Sequence, residues 1–89
     1  MCSMEKIATC EVSFIPIGSA DYLDEINQVL DIIKDSGLDH ETGPLSTVVR
    51  GEQDKVFPLM ANIYQTMNEI CYFRLDVKLS NLCGRGLHA

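Results

Sequence analysis

A turn followed by a short strand divides this chain near its middle. The segment 42–52 reads TGPLSTVVRGE and separates two stretches of helical periodicity. Its Gly-Pro pair is typical of a turn, and the Thr-Val-Val run favours an extended backbone. We therefore predict a strand over 45–52. Ser46 and Thr47 place two hydroxyls in that otherwise apolar strand, where they either bond to neighbouring groups or bind a small polar ligand.

Segments near both ends of the chain alternate with the period of two that is typical of β-strands. Residues 5–17 have one apolar and one mixed face, which predicts a strand with one packed face that ends near Pro16 and Gly18. Residues 73–80 alternate in the same way. The side chains of this last strand that are predicted to face the core are Phe73, Leu75, Val77 and Leu79.

The segment 19–37 has the apolar periodicity of an α-helix. Ser19 or Asp21 is the expected N-terminal cap, and Gly37 is the expected left-handed residue after the last turn. Two acidic residues in the first turn suit the positive end of the helix dipole. The predicted buried stripe consists of Tyr22, Ile26, Val29, Leu30 and Ile33.

A second helix is predicted within 52–72. Asp54 is its expected cap, and Pro58 requires that the helix begin close to it, because proline lacks the N–H that an interior position needs. The predicted buried stripe consists of Val56, Leu59, Ile63, Met67 and Ile70, with Met60 and Tyr64 at its flank.

The order of elements determines the predicted fold. The polar segment 38–42 pairs with the 45–52 strand as an edge hairpin, which gives the order β-α-β-β-α-β in a single domain, 1–89. The apolar stripes and faces predict an α+β, ferredoxin-like sandwich with a four-stranded antiparallel sheet and two helices on one face. Right-handed crossovers place the first and third strands in the centre. The other face of the sheet has no helix, so it is solvated, covered by a second subunit or part of a binding site.

The charge of the chain excludes some classes of partner. The net charge is −6, with seven lysines and arginines and no basic run. We therefore predict no nucleic-acid partner, because nucleic acid needs a positive surface, and a neutral or cationic small molecule fits better. No apolar run is long enough for a membrane span and no signal-peptide pattern is present, so we predict no membrane insertion and a cytoplasmic location.

The cysteines do not form a recognisable metal or disulfide pattern. None has Cys-x-x-Cys spacing, and only two histidines could complete a metal site. Free thiols are therefore favoured over a zinc site or a disulfide framework, which agrees with a cytoplasmic location. We predict no metal site. These residues are Cys2, Cys10, Cys71, Cys83, His40 and His88.

Three segments occur in an order that matches a known family. They are 12–18 (VSFIPIG), 42–52, and 75–78 (LDVK) followed by glycines at 84 and 86. Together they resemble the small thiamine-binding family of ferredoxin-like proteins over residues 5–86. The resemblance implies a non-enzymatic binder of thiamine (vitamin B1) or of its hydroxymethylpyrimidine part. It also implies a role in thiamine salvage, transport or sensing, a homodimer or homotetramer assembled through the sheets, and no cofactor.

An aminopyrimidine ligand places defined demands on a site. Its amine donor, ring nitrogens and flat apolar face require a carboxylate or carbonyl, a hydroxyl, and apolar side chains around the ring. Asp76 is expected to accept from the amine and to favour the thiazolium cation of thiamine. The ring is expected to lie between apolar side chains, with serine and threonine hydroxyls at its edge. The expected ligand-binding residues are Ser13, Ile15, Leu45, Ser46, Thr47 and Asp76.

Other interpretations of these residues stay open. An aspartate on an exposed strand face often pairs with a neighbouring cation, and Arg74 and Lys78 are available to Asp76. His40, on a predicted edge strand, is expected to be solvated. No Ser-His-acid or Cys-His constellation is apparent, so we predict no catalytic residues and no enzymatic activity. The alternative function is an oligomerising regulatory or interaction module that binds another small ligand.

Overall fold

The computed structural model describes residues 6–81. Its elements are β1 (Ile7–Ile17), α1 (Tyr22–Asp35), β2 (Asp39–Thr42), β3 (Thr47–Glu52), α2 (Gln53–Asn68) and β4 (Tyr72–Ser80). The strands form one antiparallel sheet in the order β2-β3-β1-β4, with β1 and β3 in the centre. The predicted α+β, ferredoxin-like fold and the predicted central strands are therefore confirmed.

The core lies between the two helices and one face of the sheet. Phe14 of β1 and Phe73 of β4 extend it toward the end of the sheet, with ring centroids 5.3 Å apart. Burial of each large apolar side chain contributes about 1.5–3 kcal/mol to folding, so this layer supplies most of the driving force. The most deeply buried large side chains are Ile33, Ile63, Met67, Val49, Val56 and Cys10.

The first helix differs from its prediction at its N-terminus. Asp21 occupies the N-cap position but makes no side-chain cap hydrogen bond. Tyr22 is exposed, so its predicted place in the buried stripe is wrong, because no neighbouring element of the described chain covers the first turn there. Glu25 is buried instead, and its Oε2 accepts a hydrogen bond from Ser19 Oγ at 2.9 Å. Gly37 has the predicted left-handed conformation, with φ of 74°.

The second helix is shorter than predicted, and its proline lies further from the N-terminus of the helix than predicted. Glu52 is at the N-cap position, so the prediction of Asp54 as the cap is wrong. Pro58 lies in the second turn, where its missing N–H leaves the carbonyl of Asp54 without a helical partner. Both residues are exposed, so solvent can satisfy that carbonyl. The helix ends at Asn68, and Ile70 beyond it is exposed, not buried as predicted.

Two strand predictions also need correction. The third strand begins at Thr47, so Leu45 and Ser46 belong to the β2–β3 loop and not to the strand. Val77 and Leu79 are on the predicted face of β4 but are 37% and 52% exposed, because α2 does not cover that end of the edge strand.

Several predictions fall outside the described residues, namely those for Cys2, Cys83, Gly84, Gly86 and His88. Within residues 6–81, Cys10 and Cys71 are free thiols, as predicted. No helix in this part of the chain is long and apolar enough to cross a membrane.

Candidate functional site

A cavity of about 130 Å³ lies between α1, β1 and the β2–β3 loop. It forms because β3 pairs with β1 only as far as Thr47 opposite Val12, whereas β1 continues to Ile17. The loop and α1 therefore close the space that a longer β3 would fill. The lining residues are Val12, Ser13, Phe14, Ile26, Val29, Leu30, Ile33, Thr42, Gly43, Pro44, Leu45, Ser46 and Thr47.

Two serine hydroxyls hold the loop against β1. Ser13 Oγ donates to the carbonyl of Leu45 at 3.1 Å, and Ser46 Oγ donates to Glu11 Oε2 at 3.0 Å. Within the loop, the N–H of Gly43 donates to the carbonyl of Ser46 at 2.8 Å. These bonds fix both sides of the turn, while the Leu45 side chain at its tip is 88% exposed. An apolar side chain in that position is available to pack on a ligand at the cavity mouth.

The cavity walls are mainly apolar, with one hydroxyl available inside. Helix α1 supplies four aliphatic side chains, and β1 supplies Val12 and Phe14. Thr47 is only 5% exposed, but its hydroxyl is not one of the fully buried side-chain atoms that lack a partner in residues 6–81, which are Glu25 Oε1 and Arg50 Nε. Because Thr47 lines the cavity, a water molecule or a ligand in the cavity can bond to its hydroxyl. The arrangement therefore suits a small flat or compact apolar group with one polar edge.

Two carboxylates lie on the open face of the sheet, opposite to the face on which α1 packs. Glu11 accepts from Ser46, and its Oε1 lies 3.8 Å from Lys78 Nζ, at the end of a mostly exposed lysine side chain. Glu41 lies in the same row of the sheet as Glu11, with β3 between them, because Glu11 and Glu41 are both opposite Val48. An exposed ion pair of this length contributes little to the stability of the fold, so a ligand cation can compete with Lys78 for Glu11.

The structure brings together four of the six residues predicted to bind a ligand. Ser13, Leu45, Ser46 and Thr47 all line the cavity. Ile15 and Asp76 do not line it, and both lie on the open face of the sheet, where Asp76 is opposite Ser13. Arg74 Nε donates to Asp76 Oδ1 at 2.9 Å, so the aspartate pairs with a cation on its own strand. Ligand contact by these six residues stays a prediction.

The helical stripe predicts Ile26 and Leu30 as core residues and gives no indication that they belong to a site. Both line the cavity, together with Thr42 at the end of β2. Their helical spacing is the same as that of ordinary core residues, so no local signal distinguishes them. Their exposure to the cavity depends on how far α1 sits from the loop.

The thiols of the described chain are poor nucleophiles. Burial, with a smaller contribution from the Glu11 carboxylate, raises the pKa of Cys10 to about 11. Burial and then the carboxylate of Glu25 also raise the pKa of Cys71. Both groups are thiols and not thiolates near neutral pH, and the thiolate is the reactive form. Among residues 6–81, no three His, Cys, Asp or Glu side chains are grouped so as to hold a metal ion.

Solved structures with the same fold come from several bacteria. A proposed thiamine biosynthesis/salvage protein of Thermotoga maritima is 20% identical, with a TM-score of 0.76 over 88% of this chain and 86% of that one. A domain of unknown function, DUF77, from Bacillus cereus is 19% identical, with a TM-score of 0.75 over 86% and 77%. A protein from Streptococcus pneumoniae is 17% identical, with a TM-score of 0.81 over 93% and 99%. The TM-scores show a shared fold, and at these low identities the similarity extends to the fold alone.

No curated protein sequence matches the chain significantly. The sequence profile of the YKOF-related family matches residues 7–83, which include all six strands and helices. Because this match covers most of the chain, the protein belongs to the YKOF-related family.

Proposed function

We propose that this protein binds thiamine, or the hydroxymethylpyrimidine part of it, without chemically changing it. The observation that carries the proposal is the small, mainly apolar cavity with Thr47 on its wall. The relation of the fold to a proposed thiamine biosynthesis/salvage protein supports a ligand of this class. The role would be capture of the vitamin in its salvage, transport or sensing.

The size of the cavity favours the pyrimidine over the whole vitamin. A cavity of about 150 Å³ with apolar walls holds one benzene ring, and the cavity here is about 130 Å³. One substituted six-membered ring can therefore occupy it, partly extending through the mouth, while the thiazolium ring of thiamine would lie outside. The carboxylate of Glu11, which accepts a hydrogen bond from the lining residue Ser46, and the net charge of −6 both favour that cation.

The proposed contacts follow from this orientation. Thr47 would bond to a polar edge of the ring inside the cavity, and Leu45 would pack on its outer face. The hydroxyls of Ser13 and Ser46 already donate to protein groups, so they would accept from a ligand amine. Ile15 and Asp76, on the open face, would contact only the part of the ligand that extends outside.

We propose no enzymatic activity and no cofactor. The serine hydroxyls at the site donate to a carbonyl and a carboxylate, and Cys10 is held as a thiol, so none of them is an activated nucleophile. We also propose a cytoplasmic location and a homodimer or homotetramer. The alternative is an oligomerising interaction module that binds another small ligand, which the exposed open face of the sheet would serve.

Calorimetric titration with thiamine and, separately, with hydroxymethylpyrimidine tests the proposal. We expect saturable binding near one ligand per chain, with the pyrimidine retaining most of the affinity. Ile26→Phe should abolish binding, because it fills the cavity from α1. Ile32→Phe is the matched control: Ile32 has similar burial on the same helix but does not line this cavity. Absence of heat and of thermal stabilisation with both ligands, or equal loss in the two variants, would contradict the proposal.

A further inference from the structure

The lining of the cavity contains no charged side chain among residues 6–81. Its polar side chains are the hydroxyls of serine and threonine, and those of Ser13 and Ser46 already donate to protein acceptors. A phosphate monoester carries a charge of about −1.5 to −2 at neutral pH, and proteins bind it with arginine, lysine or several converging N–H groups. The described lining therefore offers no cation to balance a phosphate.

The backbone N–H groups around the cavity do not replace that missing cation. Ile26 is the first residue of α1 to line the cavity, so the first turn of the helix, whose free N–H groups could hold an anion, does not line it. In the β2–β3 loop, the N–H of Gly43 donates to the carbonyl of Ser46, and Pro44 has no N–H. The loop therefore offers at most the N–H groups of Leu45 and Ser46.

A negative group is hydrogen-bonded to the lining of the cavity. Glu11 Oε2 accepts the hydrogen bond of the lining residue Ser46, and Glu11 Oε1 lies 3.8 Å from Lys78 Nζ. The carboxylate therefore separates the lining serine from the ammonium. The Lys78 side chain is 83% exposed, so water and salt screen its charge. A phosphate at Ser46 would be repelled by the carboxylate, and the net charge of −6 adds to the repulsion.

We propose that the site selects the unphosphorylated alcohol and excludes its phosphate esters. This inference rests on the proposed binding of thiamine or hydroxymethylpyrimidine, each of which carries a hydroxyl group that can be phosphorylated. In hydroxymethylpyrimidine that hydroxyl is one carbon from the ring, whereas in thiamine it is on a side chain of the thiazolium ring. With the pyrimidine in the cavity, the phosphate of the first ester would lie beside the apolar walls and that of the second in solvent. Exclusion should therefore be stronger for the pyrimidine ester.

This selection would place the protein before a phosphoryl transfer. The bound alcohol would be released unchanged to a separate enzyme, in which the alcohol oxygen takes the γ-phosphoryl group of a nucleoside triphosphate, with release of the diphosphate and of the alcohol proton. The phosphate ester formed would not bind back to this protein. The product would therefore not compete with the alcohol for the site.

Calorimetric titration with matched pairs of ligands tests the selection. Hydroxymethylpyrimidine phosphate should bind at least about 100-fold more weakly than hydroxymethylpyrimidine, and thiamine monophosphate about 3–10-fold more weakly than thiamine. The O-acetyl esters of both alcohols are the controls for size, because they add no charge, and should bind within about threefold of the alcohols. Raising the salt concentration from about 20 mM to about 500 mM should reduce the difference between each alcohol and its phosphate, since salt screens exposed charges.

A charge variant tests the role of Glu11. Glu11→Gln keeps an acceptor for Ser46 and should lower the ratio of the dissociation constants of hydroxymethylpyrimidine phosphate and hydroxymethylpyrimidine about fivefold, measured by competition. Glu69→Gln is the matched control, because it removes the same charge from an exposed residue at the C-terminal end of α2 that does not line the cavity. It should leave the ratio unchanged. Circular dichroism checks that each variant is folded.

The outcomes separate this selection from the proposed function. If neither alcohol binds, the proposed function is wrong and the selection fails with it. If both alcohols bind and their phosphate esters bind as tightly, only the selection is wrong. Equal losses of affinity with the O-acetyl and phosphate esters would show that the site excludes bulk and not charge. Tighter binding of the phosphate esters that is lost in Lys78→Ala would show that this lysine holds the phosphate. An unchanged ratio in Glu11→Gln would overturn the role of that carboxylate.

Discussion

Replacing Thr47 with valine should stabilise the free protein and weaken its binding of ligand. The residue is 5% exposed and lines the cavity, so only a molecule in the cavity reaches its hydroxyl. A buried hydroxyl left without any partner costs about 1–3 kcal/mol. The cavity beside it is large enough for water, which could bond to the hydroxyl and reduce that cost to the lower end of this range. Valine has nearly the same shape and an equally good strand propensity, so we expect a gain of about 1 kcal/mol in the free energy of unfolding.

The assay for this prediction combines denaturation with calorimetry. For a domain of this size, a gain of about 1 kcal/mol corresponds to a rise of about 4–8 °C in Tm. Loss of one hydrogen bond to a ligand, about 1–1.5 kcal/mol, corresponds to about a tenfold weaker Kd for hydroxymethylpyrimidine. Thr66→Val is the matched control, because Thr66 lies on the exposed side of α2 and bonds only to Asn62. This control should change neither the free energy of unfolding nor the free energy of binding by more than about 0.5 kcal/mol.

The essential result is that the substitution raises the free energy of unfolding and at the same time weakens the affinity for the ligand. A Thr47→Val variant that is less stable than the wild type by about 1 kcal/mol would show that the hydroxyl is bonded within the fold. A variant that is more stable but binds with unchanged affinity would remove Thr47 from the ligand site.

Two further predictions follow from the buried thiol and from the loop. Because the pKa of Cys10 is raised from 9.0 to about 11, folding favours its protonated form; this contribution to stability is complete below pH 9 and is lost as the pH rises toward 11. Urea denaturation across this range should show a fall in the free energy of unfolding that is smaller in Cys10→Ala than in the wild type. Equal falls in the two proteins would contradict the raised pKa of Cys10. Ser46→Ala removes the bond to Glu11 and should increase amide hydrogen exchange in the 43–46 loop, with Ser36→Ala, at the end of α1, leaving the loop unchanged. Exchange in that loop at the wild-type rate would show that the bond does not hold it.

The predictions that succeeded depended on local periodicity. Alternation in residues 73–80 and the stripe from Val56 to Met67 are both repeated over several turns or pleats, so each element was identified from its own sequence. Errors occurred where an element ends. Tyr22 and Ile70 have the right spacing for a buried stripe, but burial also needs a neighbouring element to cover them, and sequence spacing does not report that.

The candidate site was predictable only in part for a similar reason. Ser13, Leu45, Ser46 and Thr47 were expected near a ligand, and they do line one cavity. The different roles of the three hydroxyl residues were not predictable, because Ser13 and Ser46 bond across the loop whereas Thr47 is a buried residue on the cavity wall. Asp76 was correctly placed on the open face, but its bond to Arg74 on the same strand depends on the rotamers of both side chains.

The sequence by itself determined the type and order of the elements, and through them the topology of the sheet. Hydrophobic periodicity and turn residues act over a few positions, and right-handed crossovers then leave one arrangement of β1 and β3. The tertiary structure decided whether a cavity exists. The bonds that close the loop join residues 32 and 35 positions apart, and the width of the cavity depends on where α1 docks. Such contacts are set by packing of the whole domain, which no local pattern encodes.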